Sequence, residues 1–416
     1  MVANSKVDVI VVGAGIVGVS IAAHLGLRGI KAALVDRAEI AAATSFGNLG
    51  LVERASLYPP AFPRKLRELG RYALNRELDA RYELRALPRM APWLFAYWRA
   101  SSAAGQARAF AAVRPLFENS VAEHMALAEY AGTRDLYRPG GWLSLYRTPE
   151  KLAAAKASAR ALSQYGLKFD DLDAGDLASV EPRMSTEFAG AVHTKDPLAT
   201  ASPQAVARGI AARWLSEGGT FLAGDARTLR ARSGRWEIET ASGRIATEHA
   251  VIALGPWADV VFGPLGYRVP LGWKRGYHMT YAPPAGKPLR LPLVDVENGY
   301  ALTAMMDGIR LGTGVEFGSR DGAQTPVQLT RVEPIARRMF PIGERLTAPW
   351  MGSRPFIADM IPVIGPAGRH KGLWFAFGHG HHGFTHGPAT GRLVAEMIDR
   401  AATFCDPAPF DPARFD

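Results

Sequence analysis

A chain of 416 residues exceeds what one hydrophobic core comfortably fills, so two interleaved domains are the natural expectation. Hydrophobic residues at 48% and charged residues at 21% exclude a disordered chain, and the lone Cys405 excludes an intramolecular disulfide framework and fits a reducing compartment. The net charge of +10 comes without a nucleic-acid-binding motif or dense Lys/Arg block, so no nucleic-acid partner is expected; an anionic membrane surface or an acidic substrate accounts for it equally well.

Residues 7–36 read as an apolar strand, a Gly13-x-Gly15-x-x-Gly18 turn, a helix and a second strand ending at Asp36. Gly13 permits a tight turn, Gly15 a close backbone approach to a pyrophosphate, and Gly18 close packing of helix on sheet. Free N–H groups of Ala14, Ile16 and Val17 at the helix start favour negative charge, and Asp36 suits a ribose 2′-hydroxyl. This order predicts a dinucleotide site. Asp8 runs straight into the unit, so no cleavable signal is expected before it. Arg37 follows, and then a small, hydroxyl-rich stretch with Thr44, Ser45, Asn48 and Gly50 that would follow a longer ligand.

Residues 51–117 lose the strand pattern and are rich in Arg, Pro and aromatics. The segment Leu87–Arg99 has two readings: a peripheral membrane contact, or a helix packed on a second domain. Helical periodicity covers Leu116–Tyr130, Lys151–Tyr165, Pro203–Glu217 and Pro326–Phe340. Strands are predicted at Gly140–Tyr146, Thr220–Leu222, Trp236–Thr240 and Ala250–Leu254, the last leading to a corner at Gly255 and Trp257. Antiparallel strands follow at Arg275–Tyr281, Gly299–Ala304 and Gly308–Gly314. No run of about 18 uncharged apolar residues occurs, so no transmembrane helix is expected.

Near the end, a strand Leu373–Phe377 enters Gly378-His379-Gly380-His381-His382-Gly383-Phe384-Thr385 and a long helix to Arg400. Backbone amides at such a helix start stabilise developing negative charge on a bound ring. Three histidines in four residues invite a metal reading, but HExxH spacing and thiol partners are missing, so no metal is expected.

Several of these motifs together resemble the FAD-dependent D-amino-acid oxidase superfamily, in particular its bacterial D-amino-acid dehydrogenase branch. They are Asp36-Arg37 with Thr44-Ser45 and Asn48-x-Gly50, Gly352-x-Arg354-Pro355 with Asp359, Pro362 and Gly365, and the GHGHHGFTHGPATG turn. The resemblance covers most of the chain; 51–117 matches only loosely, and substrate choice is expected to lie there.

What it implies is an α/β fold: a Rossmann-type FAD-binding domain (GR2-like) from 1–50, 146–264 and 346–416, and an α+β substrate domain on an antiparallel sheet from 51–145 and 265–345. Thr44, Ser45 and Asn48 would lie along the FAD diphosphate and flavin, and the 378–385 turn over the flavin. Arg354 would clamp the substrate carboxylate through its planar fork. Tyr300 and Tyr277 would line the same pocket, and His381 or His382 would take the substrate's proton. Near Ser353 no cysteine stands where covalent relatives attach flavin, which implies noncovalent FAD.

The implied activity is oxidative deamination of a small D-amino acid to a 2-oxo acid and ammonia. Electrons would pass to a quinone or other acceptor, in the cytoplasm, with contact at the inner face of the cytoplasmic membrane. A D-proline or cis-4-hydroxy-D-proline dehydrogenase, a glycine/sarcosine-type oxidase and a non-catalytic FAD-binding subunit stay open as alternatives. The identity of the amino acid, oxidase against dehydrogenase, and oligomeric state are not legible at this stage.

Overall fold

The computed structural model describes residues 7–285 and 288–416. Its six-stranded sheet runs, edge to edge, Thr220–Ala223, Ala32–Asp36, Val9–Val12, His249–Ile252, Leu373–Phe377 and Val363–Pro366. The first five strands are parallel and the last is antiparallel. Continuous apolar runs such as Val9-Ile10-Val11-Val12, buried on both faces, suit parallel strands covered by helices. The Ile16–Gly26 helix lies on one face, flanked by the helices Pro203–Ser216 and Gly383–Ile398. An antiparallel ribbon, Arg230–Arg232, Arg235–Thr240 and Gly243–Thr247, packs on the other face through Trp236 and Ile238.

A larger mixed sheet has the Leu271–Tyr281 strand near its centre, hydrogen-bonded to Gly308–Thr313, Val315–Phe317 and Trp350–Ile357. It continues through Tyr300–Met305, Leu293–Asp295, Trp142–Tyr146 and Gly190–Thr194 to Phe169–Asp173. The Val327–Met339 helix covers this sheet with Leu329, Val332 and Ala336.

The expected α/β architecture is present, but sheet membership divides the chain differently from the sequence partition. Strands at 169–194 and 350–357, assigned to the nucleotide domain, lie in the large sheet. Conversely the long Ala103–Ala131 helix, assigned to the substrate domain, packs on the Gly383–Ile398 and Pro203–Ser216 helices of the six-stranded layer. It also starts 13 residues before the periodicity at Leu116 suggests. Among the described residues, no helix is long and apolar enough to cross a membrane, and no cluster of potential metal ligands occurs.

Candidate active site

A cavity of about 1210 Å³ runs from the carboxyl ends of the parallel strands to the large sheet. Pockets for drug-sized ligands span about 300–1,000 Å³, so this one has room for a dinucleotide with a small molecule beside it. Open α/β sheets bind their ligands at this end of the strands.

At the nucleotide end the backbone itself makes the site. Gly13 has φ +110°, and a Cβ there would sit 2.5 Å from the Ala253 carbonyl oxygen. A Cβ on Gly18 would fall 1.8 Å from the Gly13 oxygen, so helix and turn touch only because residue 18 is glycine. Ala14, Gly15, Ile16, Val17, Asp36 and Arg37 line the cavity. The Asp36 carboxylate accepts from the Ala14 N–H at 2.7 Å and the Ala38 N–H at 3.0 Å, which fixes its rotamer at the rim.

Thr44, Ser45 and Asn48 line the middle of the cavity, and each also ties its loop down. The Thr44 hydroxyl donates to the Ser353 carbonyl at 3.0 Å, Ser45 Oγ accepts from the Ile16 N–H at 3.0 Å, and Asn48 Oδ1 accepts from Gly50 at 2.8 Å. Gly255 and Trp257 form the opposite wall, with the indole N–H donating to Asp321 at 3.0 Å. His379, Gly380, His381, His382, Gly383 and Phe384 close the far end. Gly18, Gly50, Gly378 and Thr385 shape the site without lining it. Thr385 Oγ1, for example, accepts from the Glu53 N–H at 3.1 Å and so docks residues 51–53 on the last helix.

Arg354 projects from the Trp350–Ile357 strand into this far end. Its guanidinium donates only to carbonyls, those of Gly314 at 2.9 Å, Thr313 at 3.3 Å and Arg275 at 3.4 Å. Among the described residues no carboxylate pairs with it. Burial lowers its pKa to about 10, which leaves it charged at neutral pH. It occupies the space left by Gly276, where a Cβ would lie 2.3 Å from the guanidinium. The Gly380 turn is equally tight, with a Cβ there 2.9 Å from the Phe356 ring.

The histidines of the turn divide by environment. His379 is buried, bonded to Thr390 Oγ1 at 3.0 Å, and burial drives its pKa down to about 3. His381 lies against Phe356, and burial, with help from Arg354 and Lys274, holds it far below the ordinary imidazole range. It is therefore neutral and a weak proton acceptor. His382 faces the Glu53 carboxylate at 3.5 Å. Burial alone would raise Glu53, but His382 and a hydrogen bond from Ser56 more than offset it and hold its pKa below the usual value.

Two expected pocket residues are corrected by the structure. Tyr300 is buried in the core of the large sheet, with its hydroxyl directed at Met339 Sδ at 3.4 Å, and lies outside the cavity. Tyr277 reaches the cavity wall, but its hydroxyl donates to Glu316 at 2.7 Å, receives the Thr325 N–H at 3.0 Å and meets Arg275, a network on the other face of the sheet. Pleating is the reason. Register places Lys274 opposite Arg354, so residues 274, 276 and 278 share its face and 275 and 277 do not.

That parity identifies two residues the sequence reading missed. Lys274 is 3% exposed, hydrogen-bonded to the Tyr97 hydroxyl at 2.9 Å and 3.7 Å from the Phe356 ring centroid; burial and then Arg354 push its pKa well below the usual value. His278 lines the cavity and stacks on Trp350 at 4.8 Å, with burial and then Arg310 lowering its pKa to about 3. A Cβ on Gly47 or Gly352 would enter the Trp350 ring, at 1.8 and 2.2 Å. Strand parity was the available signal for both.

Fold and cavity together are those of an α/β protein with a Rossmann-type nucleotide-binding sheet. The chain belongs to the DAO family of FAD dependent oxidoreductases, whose profile matches residues 8–397. It is 27% identical over 419 residues to a D-amino-acid oxidase of Bradyrhizobium diazoefficiens, covering 98% of each chain. To a D-amino acid dehydrogenase of Chromohalobacter salexigens it is likewise 27% identical over 419 residues, covering 98% of this chain and 99% of the other. Among solved structures, glycine oxidase from Geobacillus kaustophilus superposes with a TM-score of 0.77 at 23% identity, covering 98% of this chain and 99% of that one.

Proposed function

We propose that the chain deaminates small D-amino acids oxidatively, giving a 2-oxo acid and ammonia and passing the electron pair to a quinone-type acceptor. One observation carries the reading: Arg354, a charged guanidinium on the cavity wall whose donors meet only carbonyl oxygens. Leaving a cation in such a place is costly unless an anion completes it. An α-carboxylate fits, because two parallel charge-assisted hydrogen bonds satisfy the fork.

The cradle suits FAD. Gly13 and Gly18 let the turn close on Ala253 and on the helix start, where any side chain would clash with backbone, Asp36 sits at the ribose end, and Thr44, Ser45 and Asn48 follow the cavity towards Arg354. When bound, FAD supplies the two-electron acceptor for the hydride leaving Cα. The chain's own residues bind and orient. Arg354 fixes the carboxylate, and with it the direction of Cα–H. The burial that keeps His381 neutral also disfavours a charged ammonium beside it, so the substrate gives its proton up to water on entering the pocket and its lone pair is free where it is needed. His381 then accepts a hydrogen bond from the amine without carrying a net charge. His382, on the cavity wall with its imidazole 3.5 Å from the Glu53 carboxylate, is the alternative acceptor of that proton.

The cofactor is held without a covalent bond to cysteine, since Cys405 lies outside the cavity. Acid precipitation therefore leaves the yellow colour in the supernatant; flavin retained in a washed pellet overturns this. The activity is tested by anaerobic mixing of the purified holoprotein with paired enantiomers of alanine and proline. D-isomers are expected to bleach the flavin much faster than their L-isomers, because with the carboxylate fixed a misplacement of about 1 Å costs roughly 100-fold. Equal rates defeat the stereochemical reading, and a flavin that no amino acid reduces makes the chain a binding subunit.

A further inference from the structure

The Leu66–Ala73 helix buries none of its residues, and Leu66 at its start is 86% exposed. Single exposed apolar residues need no explanation, but here they recur along one connected surface. Phe95, on the Leu87–Ala100 helix, is 59% exposed and stacks on Trp98 at 5.9 Å. Arg64 lies over the Trp98 ring at 4.5 Å and donates to the Trp98 carbonyl at 2.6 Å, joining the start of one helix to the end of the other. Leu84, just before the second helix, is 73% exposed.

The charges around these side chains are mostly positive. Between residues 57 and 102 there are nine Arg or Lys against four acids. Three of the acids are engaged: Glu77 by Arg71 at 3.5 Å, Asp79 by the Tyr72 hydroxyl at 2.7 Å, and Glu83 by Arg275 at 2.9 Å. Lys65, Arg67, Arg85, Arg89 and Arg99 are exposed, and none forms an ion pair among the described residues.

We propose that this surface docks on an anionic lipid bilayer, with Leu66, Phe95 and Trp98 entering the headgroup boundary and the unpaired cations meeting lipid phosphates. Bulky apolar tips ringed by Arg and Lys match that environment. The contact also has a consequence for access. The strap from Leu57 to Lys65 begins in the cavity wall with Tyr58 and Pro60, and the Tyr97 hydroxyl holds it by bonding the Pro60 carbonyl. Docking therefore brings the cavity mouth near the lipid, where an apolar electron acceptor would be dissolved. The proposal stands whichever amine is oxidised.

The experiment is flotation of the holoenzyme with vesicles of phosphatidylcholine alone and of phosphatidylcholine mixed with phosphatidylglycerol. Binding is expected to the anionic vesicles only and to weaken with salt. A Lys65→Ala/Arg67→Ala/Arg99→Ala variant should bind about 100-fold more weakly, at roughly fivefold for each charge near the surface. A Leu66→Ser/Phe95→Ser variant should lose at least about tenfold, at roughly 0.8 kcal/mol for each buried CH₂ lost. Turnover with a soluble dye stays at the wild-type level in both, which shows that they fold. Failure to bind either vesicle overturns the proposal and leaves a protein as the occupant, and unchanged binding of both variants overturns the location.

Discussion

Arg354 is worth more as half of an ion pair than as a free cation, and that difference sets the size of its expected mutational effect. Arg354→Ala should lower kcat/KM by about 30- to several-thousand-fold, corresponding to ~2–5 kcal/mol of charge-assisted binding and orientation. Flavin content should stay at the wild-type value, and Arg354→Lys should recover only part of the loss because an ammonium lacks the planar fork. Near-normal kinetics in the alanine variant at full flavin occupancy would place the carboxylate elsewhere. Tyr300→Phe supplies a contrast: its hydroxyl addresses Met339 in the core, so steady-state kinetics should be within about twofold of wild type, and a large rise in KM would contradict the placement. Arg354 was legible from sequence because a short motif surrounds it. The tyrosines were misplaced because composition marks a strand without fixing which parity faces the cavity.

Between the helices, small residues decide whether the layers meet. A Cβ on Gly391 would stand 2.6 Å from the Ser20 backbone, so the Gly383–Ile398 and Ile16–Gly26 helices cross at a distance that only glycine permits. Pro388 sits inside the first of these helices and cannot donate to the Phe384 carbonyl one turn back. His124 takes that place, its Nε2 lying 2.8 Å from the Phe384 oxygen and its Nδ1 2.8 Å from the Tyr137 hydroxyl. Burial holds His124 near a pKa of about 4, so it is neutral, with the proton on Nε2 and a lone pair on Nδ1 for the tyrosine. His124→Phe should therefore destabilise the fold by about 1–3 kcal/mol for each group left unpaired, read as a drop in the unfolding midpoint. A midpoint within error of wild type would mean that water replaces the imidazole at both ends.

In the large sheet, Gly276→Ala should raise KM while leaving flavin bound, since the three atoms nearest the added methyl all belong to the Arg354 guanidinium. An unchanged KM would show that Arg354 has a second productive pose. The parallel strands and the helices Ile16–Gly26, Pro149–Ser163, Pro203–Ser216, Val327–Met339 and Gly383–Ile398 were legible in the sequence from period and caps, whereas the helices Leu66–Ala73 and Ala174–Val180 were not. The Trp350–Ile357 strand was not, because Gly352 and Pro355 interrupt the apolar pattern that marks a strand. Proline is tolerated there because, among the described residues, this strand has one ladder partner, Leu271–Tyr281, and otherwise a single bridge from Phe356 to His379. Phe169–Asp173, with three acids in five residues, carries no apolar alternation to announce a strand.

At the scale of the molecule, buried neutral histidines make acid the weak direction. Burial lowers the pKa of His24, His278 and His379 to about 3 and that of His124 to about 4, with His381 and His386 displaced the same way. Released into water, each would bind a proton near pH 6.5. The unfolded chain thus holds more protons than the folded one between these values, and stability falls as pH drops through that window, by up to about 1.4 kcal/mol per pH unit for each histidine. The unfolding midpoint should be level above pH 7.5 and decline steeply towards pH 5. A flat profile across that range would show that these imidazoles find protons without unfolding. The order of the six-stranded sheet has a different kind of consequence, in time. Val9–Val12 and Ala32–Asp36 leave the ribosome first, yet the Leu373–Phe377 strand and the helix after it, which cover the Ile16–Gly26 helix, come roughly 340 residues later. At about 5–20 residues per second the first unit waits on the order of 20–70 s with its apolar faces bare. Through that interval its safekeeping falls to chaperones, and a translation arrest in the 300s would release a chain able to aggregate and unable to hold its cofactor.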